Sequence, residues 1–88
     1  MPEISQTATS ILTILNNINE LIVKASARKE ASEVMRALRV YAKNKNFELP
    51  ENKLQNFEAV LIDSKPITLT SLIQDIASDV IIIDRKKK

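Results

Sequence analysis

The stretch that decides the fold is residues 4–22, ISQTATSILTILNNINELI. Its aliphatic side chains recur at alternating spacings of four and three residues, which is the period of one face of an α-helix. The members of this stripe are Ile4, Ala8, Ile11, Leu15, Ile18 and Ile22. Polar side chains fill the opposite side. We therefore expect an amphipathic core helix over about residues 5–25.

Three further segments with helical periodicity follow along the chain. The second, about residues 27–45, is rich in helix formers, and its apolar stripe is Ala27, Ala31, Val34, Leu38, Tyr41 and Ala42. The third, about residues 51–63, follows Pro50, a residue suited to the first turn of a helix. The fourth is expected to begin near Thr68 or Thr70, since threonine is a competent N-cap.

The connections between these segments contain no glycine, because the chain has none. Asn44 and Asn46 are therefore the candidates for a left-handed helix terminator. Phe47 and Leu49 lie in the same link, and we expect both to fill the core. Tight turns in small strand-rich folds favour glycine, so its absence favours helices joined by short loops.

The end of the chain leaves two readings open. The run Val80–Ile83 is continuous and β-branched, and it is either the last helical turn or an extended apolar tail. Residues 85–88, RKKK, are expected to form a disordered basic tail. The domain prediction is one unit over residues 1–84 followed by that tail.

Together these segments predict an all-α fold, a small antiparallel helical bundle of three to four helices. The chain has 88 residues, which is one domain and leaves a marginal core. Because the first segment is apolar over a wide arc, part of its surface is available for a homodimer.

Composition excludes several kinds of chemistry. The chain contains no Cys, His or Gly. Disulfides, thiolate nucleophiles, imidazole bases, zinc sites built on Cys or His and glycine-rich phosphate loops are therefore unavailable. Aspartates 75, 79 and 84 form an acidic set that we interpret as a solvated face rather than half of a metal site. We expect a protein that is not an enzyme and holds no metal or cofactor.

The sequence shows no secretory signal at its start, MPEI. Its most apolar stretch, residues 11–23, is interrupted by Thr, Asn and Glu, so no membrane span is expected. A cytoplasmic location is the expectation, and the basic tail leaves peripheral contact with a membrane open.

One face of the second segment is basic. Five side chains, hereafter the basic arc, fall within about 100° of each other on a helical wheel. They are Arg28, Lys29, Arg36, Arg39 and Lys43. Such an arc is a candidate phosphate-binding surface, which makes a nucleic-acid-binding regulator one alternative function. A small protein–protein interaction module is another.

Residues 34–80 read VMRALRVYAKNKNFELPENKLQNFEAVLIDSKPITLTSLIQDIASDV. In this segment a predicted helix ends in a Lys/Asn stretch and is followed by the residues NFELP. A short predicted helix comes next, and Leu-Thr then begins the last one. This segment resembles the immunity proteins of class II bacteriocins, which are small cytosolic bundles of four antiparallel helices. The family is not enzymatic. It protects a producer cell against its own membrane-permeabilising peptide.

The resemblance implies a membrane receptor, the mannose transporter, as the partner when the bacteriocin occupies it. It also implies that the C-terminal part of the chain carries specificity, although only residues 81–88 follow the matching segment here. The residues expected to face the partner are Asp75, Asp79, Ile82, Arg85, Lys86, Lys87 and Lys88.

Overall fold

The structure is a computed structural model that describes residues 4–86, apart from the side chain of Ala25. Four α-helices make up most of this range, and it contains no strand. They are α1 (Gln6–Ile22), α2 (Arg28–Asn44), α3 (Glu51–Val60) and α4 (Pro66–Lys86). A single turn of 3-10 helix, Ala25–Ala27, precedes α2. The predicted all-α helical bundle is confirmed, with four helices.

Helix α1 is the centre of the bundle. It packs against α2 on one side and α4 on another, and α3 packs against α4. Ser5, at the start of α1, bonds to Asp84 near the end of α4, whereas Asn19 near the end of α1 bonds to Thr70 near the start of α4. These two contacts make α1 and α4 antiparallel neighbours. The longest dimension of the bundle is 39 Å.

The core is built from the stripes that the periodicity predicts. The buried apolar residues of α1 are those of the predicted stripe after Ile4, which is itself partly buried. In α2 the fully buried residues include Met35, which the predicted stripe did not contain. Val34 and Tyr41 of that stripe are only partly buried. Phe47 and Leu49 are buried beside them, as predicted.

The first turn of α4 differs from the prediction. The helix begins at Pro66, ahead of both Thr68 and Thr70, so neither threonine is its N-cap. Proline has no N–H to leave unbonded and its φ suits a helix start, which explains the earlier boundary. The Thr70 hydroxyl donates instead to Asn19 Oδ1 at 2.8 Å and ties α4 to α1.

Helix α2 ends with a left-handed asparagine. Asn46 has φ 55°, and its N–H donates to the carbonyl of Lys43 at 3.2 Å. The N–H of Phe47 donates to the carbonyl of Ala42 at 2.9 Å. This pair of bonds is the Schellman motif, with Asn46 in the position usually held by glycine. Asn44, the other predicted terminator, is the last helical residue.

The chain is helical to the end of the described range, so the run Val80–Ile83 is helix. Arg85 and Lys86 are also helical, which corrects the prediction of a disordered tail for those two residues. Lys87 and Lys88 lie outside the described residues. A lysine and an arginine in the last turn of a helix interact favourably with its dipole, which supports a helical end here.

Asp84 is buried, so its assignment to a solvated acidic face is wrong. Its carboxylate accepts hydrogen bonds from the backbone N–H of Ser5, at 2.9 Å, and from the Ser5 hydroxyl. The same Ser5 hydroxyl oxygen accepts the N–H of Ala8 and caps α1. The acid of α4 thus orients the residue that starts α1.

Helix α4 is long and apolar enough, by length and composition only, to cross a membrane, with a mean hydropathy of 1.4 over its most apolar 18 residues. The expectation of no membrane span was argued on residues 11–23 and did not consider this helix. A core helix of a bundle meets the same criterion. Here Leu69, Ile73, Ile76 and Val80 of α4 lie in the core.

Candidate functional site

Arg28 does not belong to an exposed basic surface, because its side chain is buried between helix ends. Its Nε donates to the carbonyl of Ile22 at 3.0 Å. Its Nη1 donates to the carbonyls of Leu61 at 2.6 Å and Ser64 at 3.0 Å. The carbonyls of Ile22 and Leu61 lie at the ends of α1 and α3, where helices leave acceptors without intrahelical partners, and that of Ser64 lies in the loop before α4. Arg28 therefore has a structural role, which corrects its place in the basic arc.

Arg39 is a second member of the basic arc that the fold uses. Its Nε lies 3.1 Å from Glu51, and its Nη2 bonds to Glu58, so one guanidinium joins α2 to both ends of α3. The hydrogen bond to Glu58, followed by that to Glu51, raises the pKa of Arg39 above its ordinary value. A guanidinium held between two carboxylates offers little net charge to a phosphate.

The rest of the basic arc is exposed. Lys29, Arg36 and Lys43 all point to solvent and form no ion pair within the described part of the chain. Their seven-residue intervals place them about 10 Å apart along α2. The exposed carboxylate of Glu33 lies between the first two. The structure thus reduces five predicted phosphate-binding residues to a row of three.

Asp75 and Asp79 share one cation. The ammonium group of Lys53, on α3, lies 3.0 Å from Asp75 and 2.9 Å from Asp79. The hydrogen bond to Asp79, followed by that to Asp75, raises the pKa of Lys53. Sequence reasoning paired these acids with each other and missed the lysine, because nothing in the local pattern shows which helix packs beside them.

The C-terminal end of α4, defined here as Ile82, Arg85 and Lys86, is exposed. It continues the line of Asp75 and Asp79, since positions 75, 79, 82 and 86 follow helical spacing along one face. The two basic side chains form no ion pair with another described residue. Along the helix the surface therefore changes from two carboxylates neutralised by Lys53, through the exposed Ile82, to two cations that pair with no described residue.

Sequence reasoning did not identify two other surfaces. One is an open depression along α2, lined by Glu33, Arg36, Ala37, Val40, Tyr41 and Asn44. The other, hereafter the apolar tip, consists of Val23, Ile62 and Ile67, three exposed aliphatic side chains in or beside the connections between helices. Helical periodicity describes faces of helices, so it gives no signal for residues in connections.

No cluster of three or more acidic side chains capable of holding a metal ion occurs between residues 4 and 86. The depressions are open grooves between surface side chains, lined by apolar groups, amides and a few charges. Comparison with protein-family models, curated proteins and solved structures found no match to the chain.

Proposed function

We propose that this chain is a non-enzymatic binding protein of the bacteriocin immunity type. It protects a cell from the cytosolic side by binding a membrane receptor, of the mannose-transporter kind, that a membrane-permeabilising peptide occupies. The observation that carries the proposal is the C-terminal end of α4, where Ile82, Arg85 and Lys86 are exposed on a rigid helix. The antiparallel four-helix bundle agrees with what the resemblance of residues 34–80 implies.

The contact is centred on Ile82. An exposed aliphatic residue flanked by cations has the character of a small binding centre with a charged rim. Asp75 and Asp79 extend the contact along the same line of α4, but their charge is already balanced by Lys53. We therefore assign them a lesser share of the binding than Ile82, Arg85 and Lys86. Lys87 and Lys88 add charge beyond the described residues.

Nucleic-acid binding remains the alternative, and the geometry favours it less. Two of its five proposed residues, Arg28 and Arg39, bond within the bundle. Neutralisation of phosphates supplies most non-specific affinity for DNA, so losing two cations from the contact weakens the case. Glu33 adds a repelling charge to the remaining row.

The test is expression in a host that is sensitive to class II bacteriocins. We expect the wild-type chain to raise the inhibitory concentration of at least one such peptide by about tenfold or more. The triple variant Ile82→Ser, Arg85→Ala, Lys86→Ala is expected to lose this protection. All three side chains are exposed, so its thermal unfolding should match that of the wild type.

The matched control lies on α2. Val40→Ser, Arg36→Ala, Lys43→Ala also removes one exposed aliphatic side chain and two cations, and Val40 and Ile82 are similarly exposed, at 56% and 49%. This variant should protect as well as the wild type. Protection against none of the peptides, or full protection by the α4 variant, would contradict the proposal. Salt-sensitive binding to duplex DNA, lost in the α2 variant, would favour the alternative.

A further inference from the structure

The apolar tip gathers three of the five large aliphatic side chains that are exposed within the described residues. Val23 is 61% exposed, Ile62 is 66% exposed and Ile67 is 78% exposed. Single exposed aliphatic residues are common on protein surfaces, but a group of them at one place marks a contact site. These three lie in or beside two connections that are about 40 residues apart in the chain, so a local sequence pattern does not explain them.

Arg28 brings the two connections together. Its guanidinium bonds to the carbonyl of Ile22, the residue before Val23, and to that of Leu61, the residue before Ile62. A third bond to Ser64 reaches the loop that leads into α4, whose second residue is Ile67. One buried side chain therefore holds together, at one end of the bundle, the two connections in which or beside which these residues lie.

Charged side chains of both signs surround the apolar tip, and lysines outnumber acids among them. Lys24, Lys29 and Lys65 are exposed in these connections or next to them, and so are the acids Glu30 and Asp63. No ion pair among the described residues involves any of the five. The end of the bundle is thus an exposed aliphatic group bordered by three ammonium groups and two carboxylates.

We propose that the apolar tip docks on an anionic lipid surface. Three aliphatic side chains with lysines beside them are enough for shallow insertion at a lipid headgroup boundary, where binding grows with the apolar area and with attraction to anionic lipids. A lipid surface needs no complementary partner. It accepts aliphatic side chains at the headgroup boundary, and lysines extend their ammonium groups towards anionic headgroups.

This inference goes beyond the proposed function, because it uses the other end of the molecule. Ser5, at the start of α1, lies next to Asp84, whereas Val23 follows the end of α1. The 17 residues of α1 therefore separate the apolar tip from the C-terminal end of α4, a distance of about 25 Å. Lipid contact at the apolar tip leaves that end accessible to a protein.

The experiment is flotation of the full chain with vesicles. One set contains phosphatidylcholine alone, and the other contains about one-third phosphatidylglycerol. We expect binding to the anionic set, decreasing as salt rises. The triple variant Val23→Ser, Ile62→Ser, Ile67→Ser is expected to reduce the partition coefficient about tenfold or more. Lys24→Gln with Lys65→Gln should weaken binding and lower its salt dependence.

The matched control is Val40→Ser, which removes an exposed aliphatic side chain of α2, outside both proposed contacts, and should bind vesicles as the wild type does. Circular dichroism should give the same unfolding temperature for all variants, since every substituted side chain is exposed. Three results would overturn the inference. They are no binding of the wild type to anionic vesicles, undiminished binding of the apolar-tip variant, and an apolar-tip variant that changes only the oligomeric state. Protection of a sensitive host is a separate readout, so the two proposals fail independently.

Discussion

Arg28 joins three parts of the chain through one side chain. It occupies the first position of α2, beside the end of α1 and the loop after α3, and its guanidinium donates to a carbonyl from each. Five fixed N–H donors suit arginine to this task, and lysine cannot reproduce the geometry. Arg28, which the sequence assigned to an exposed basic face, is therefore a buried residue that stabilises the fold.

We predict that Arg28→Met destabilises the protein by about 2–4 kcal/mol, because buried carbonyls lose a charged donor. Urea unfolding followed by circular dichroism measures the change. Lys29→Met, at the exposed neighbouring position, should stay within about 0.5 kcal/mol of the wild type. Equal stability of the two variants would show that Arg28 does not make these bonds.

The roles of some residues could not be predicted from the sequence, and Arg28 is the clearest case. A helical wheel places Arg28 and Lys29 on one face because it projects the residues of α2 alone. The wheel does not show which carbonyls of other segments lie beside the start of α2. Asn46 is different, since a chain without glycine has few residues that tolerate positive φ, and the local sequence was enough to name it as one of two candidates.

Helix α3 is the element most dependent on charged contacts. It has 10 residues, and its buried side chains are Leu54 and Phe57. Ion pairs hold it from two sides, with Arg39 reaching from α2 and Lys53 reaching to α4. Exposed ion pairs contribute modestly and are screened by salt, so we expect α3 to be the helix most sensitive to ionic strength.

We predict a pH dependence from Lys53. Its folded-state pKa is raised above the ordinary 10.5 by Asp79 and Asp75, so its stabilising contribution is fully present below that value. The contribution is lost as the pH rises through the raised pKa. The difference in urea midpoint between the wild type and Lys53→Met should therefore be constant up to about pH 10 and then shrink.

Lys43→Met serves as the control, because Lys43 is exposed and forms no ion pair among the described residues. Its difference from the wild type should show no such decline. A Lys53→Met difference that stays constant through strongly alkaline pH would contradict the assigned contacts.

At the scale of elements, periodicity predicted the four helices and most of the core, but it was less accurate at the edges. Met35 replaces Val34 in the centre of the α2 stripe, because the position of α1 decides which side of a broad apolar arc is buried. The β-branched run from Val80 to Ile83 is helical, since it has a helix, α1, to pack against and no strand to pair with in the described chain.

The whole molecule depends on α4 being a core helix. We predict that Ile76→Ala lowers the free energy of unfolding in detergent-free buffer by about 2–5 kcal/mol, because it leaves a cavity in a fully buried position. Ile82→Ala, on the same helix, should stay within about 0.5 kcal/mol. Equal, small effects of both, or a chain that folds only in detergent, would show that α4 is buried in something other than this bundle.

The two proposed contacts lie at opposite ends of the bundle. The residues of one were named from the sequence, whereas those of the other were not. Ile82, Arg85 and Lys86 were named from the sequence as partner-facing residues, although the two basic residues were expected in a disordered tail rather than in the helix. The apolar tip depends on two connections meeting through Arg28, which only the packed structure shows. Its lysines and aliphatic residues are far apart in the sequence. They lie at the same end of the bundle only because α1 and α3 each run antiparallel to the helix beside them.

The most direct measurement is co-purification of the mannose-transporter membrane subunits with the tagged chain, from detergent-solubilised membranes of sensitive cells, with and without the bacteriocin. We predict recovery that requires the peptide, survives high salt, and is lost in Ile82→Ser, Arg85→Ala, Lys86→Ala but kept in the α2 control variant. Recovery of nucleic acid alone, or of the transporter equally well with the α4 variant, would contradict it.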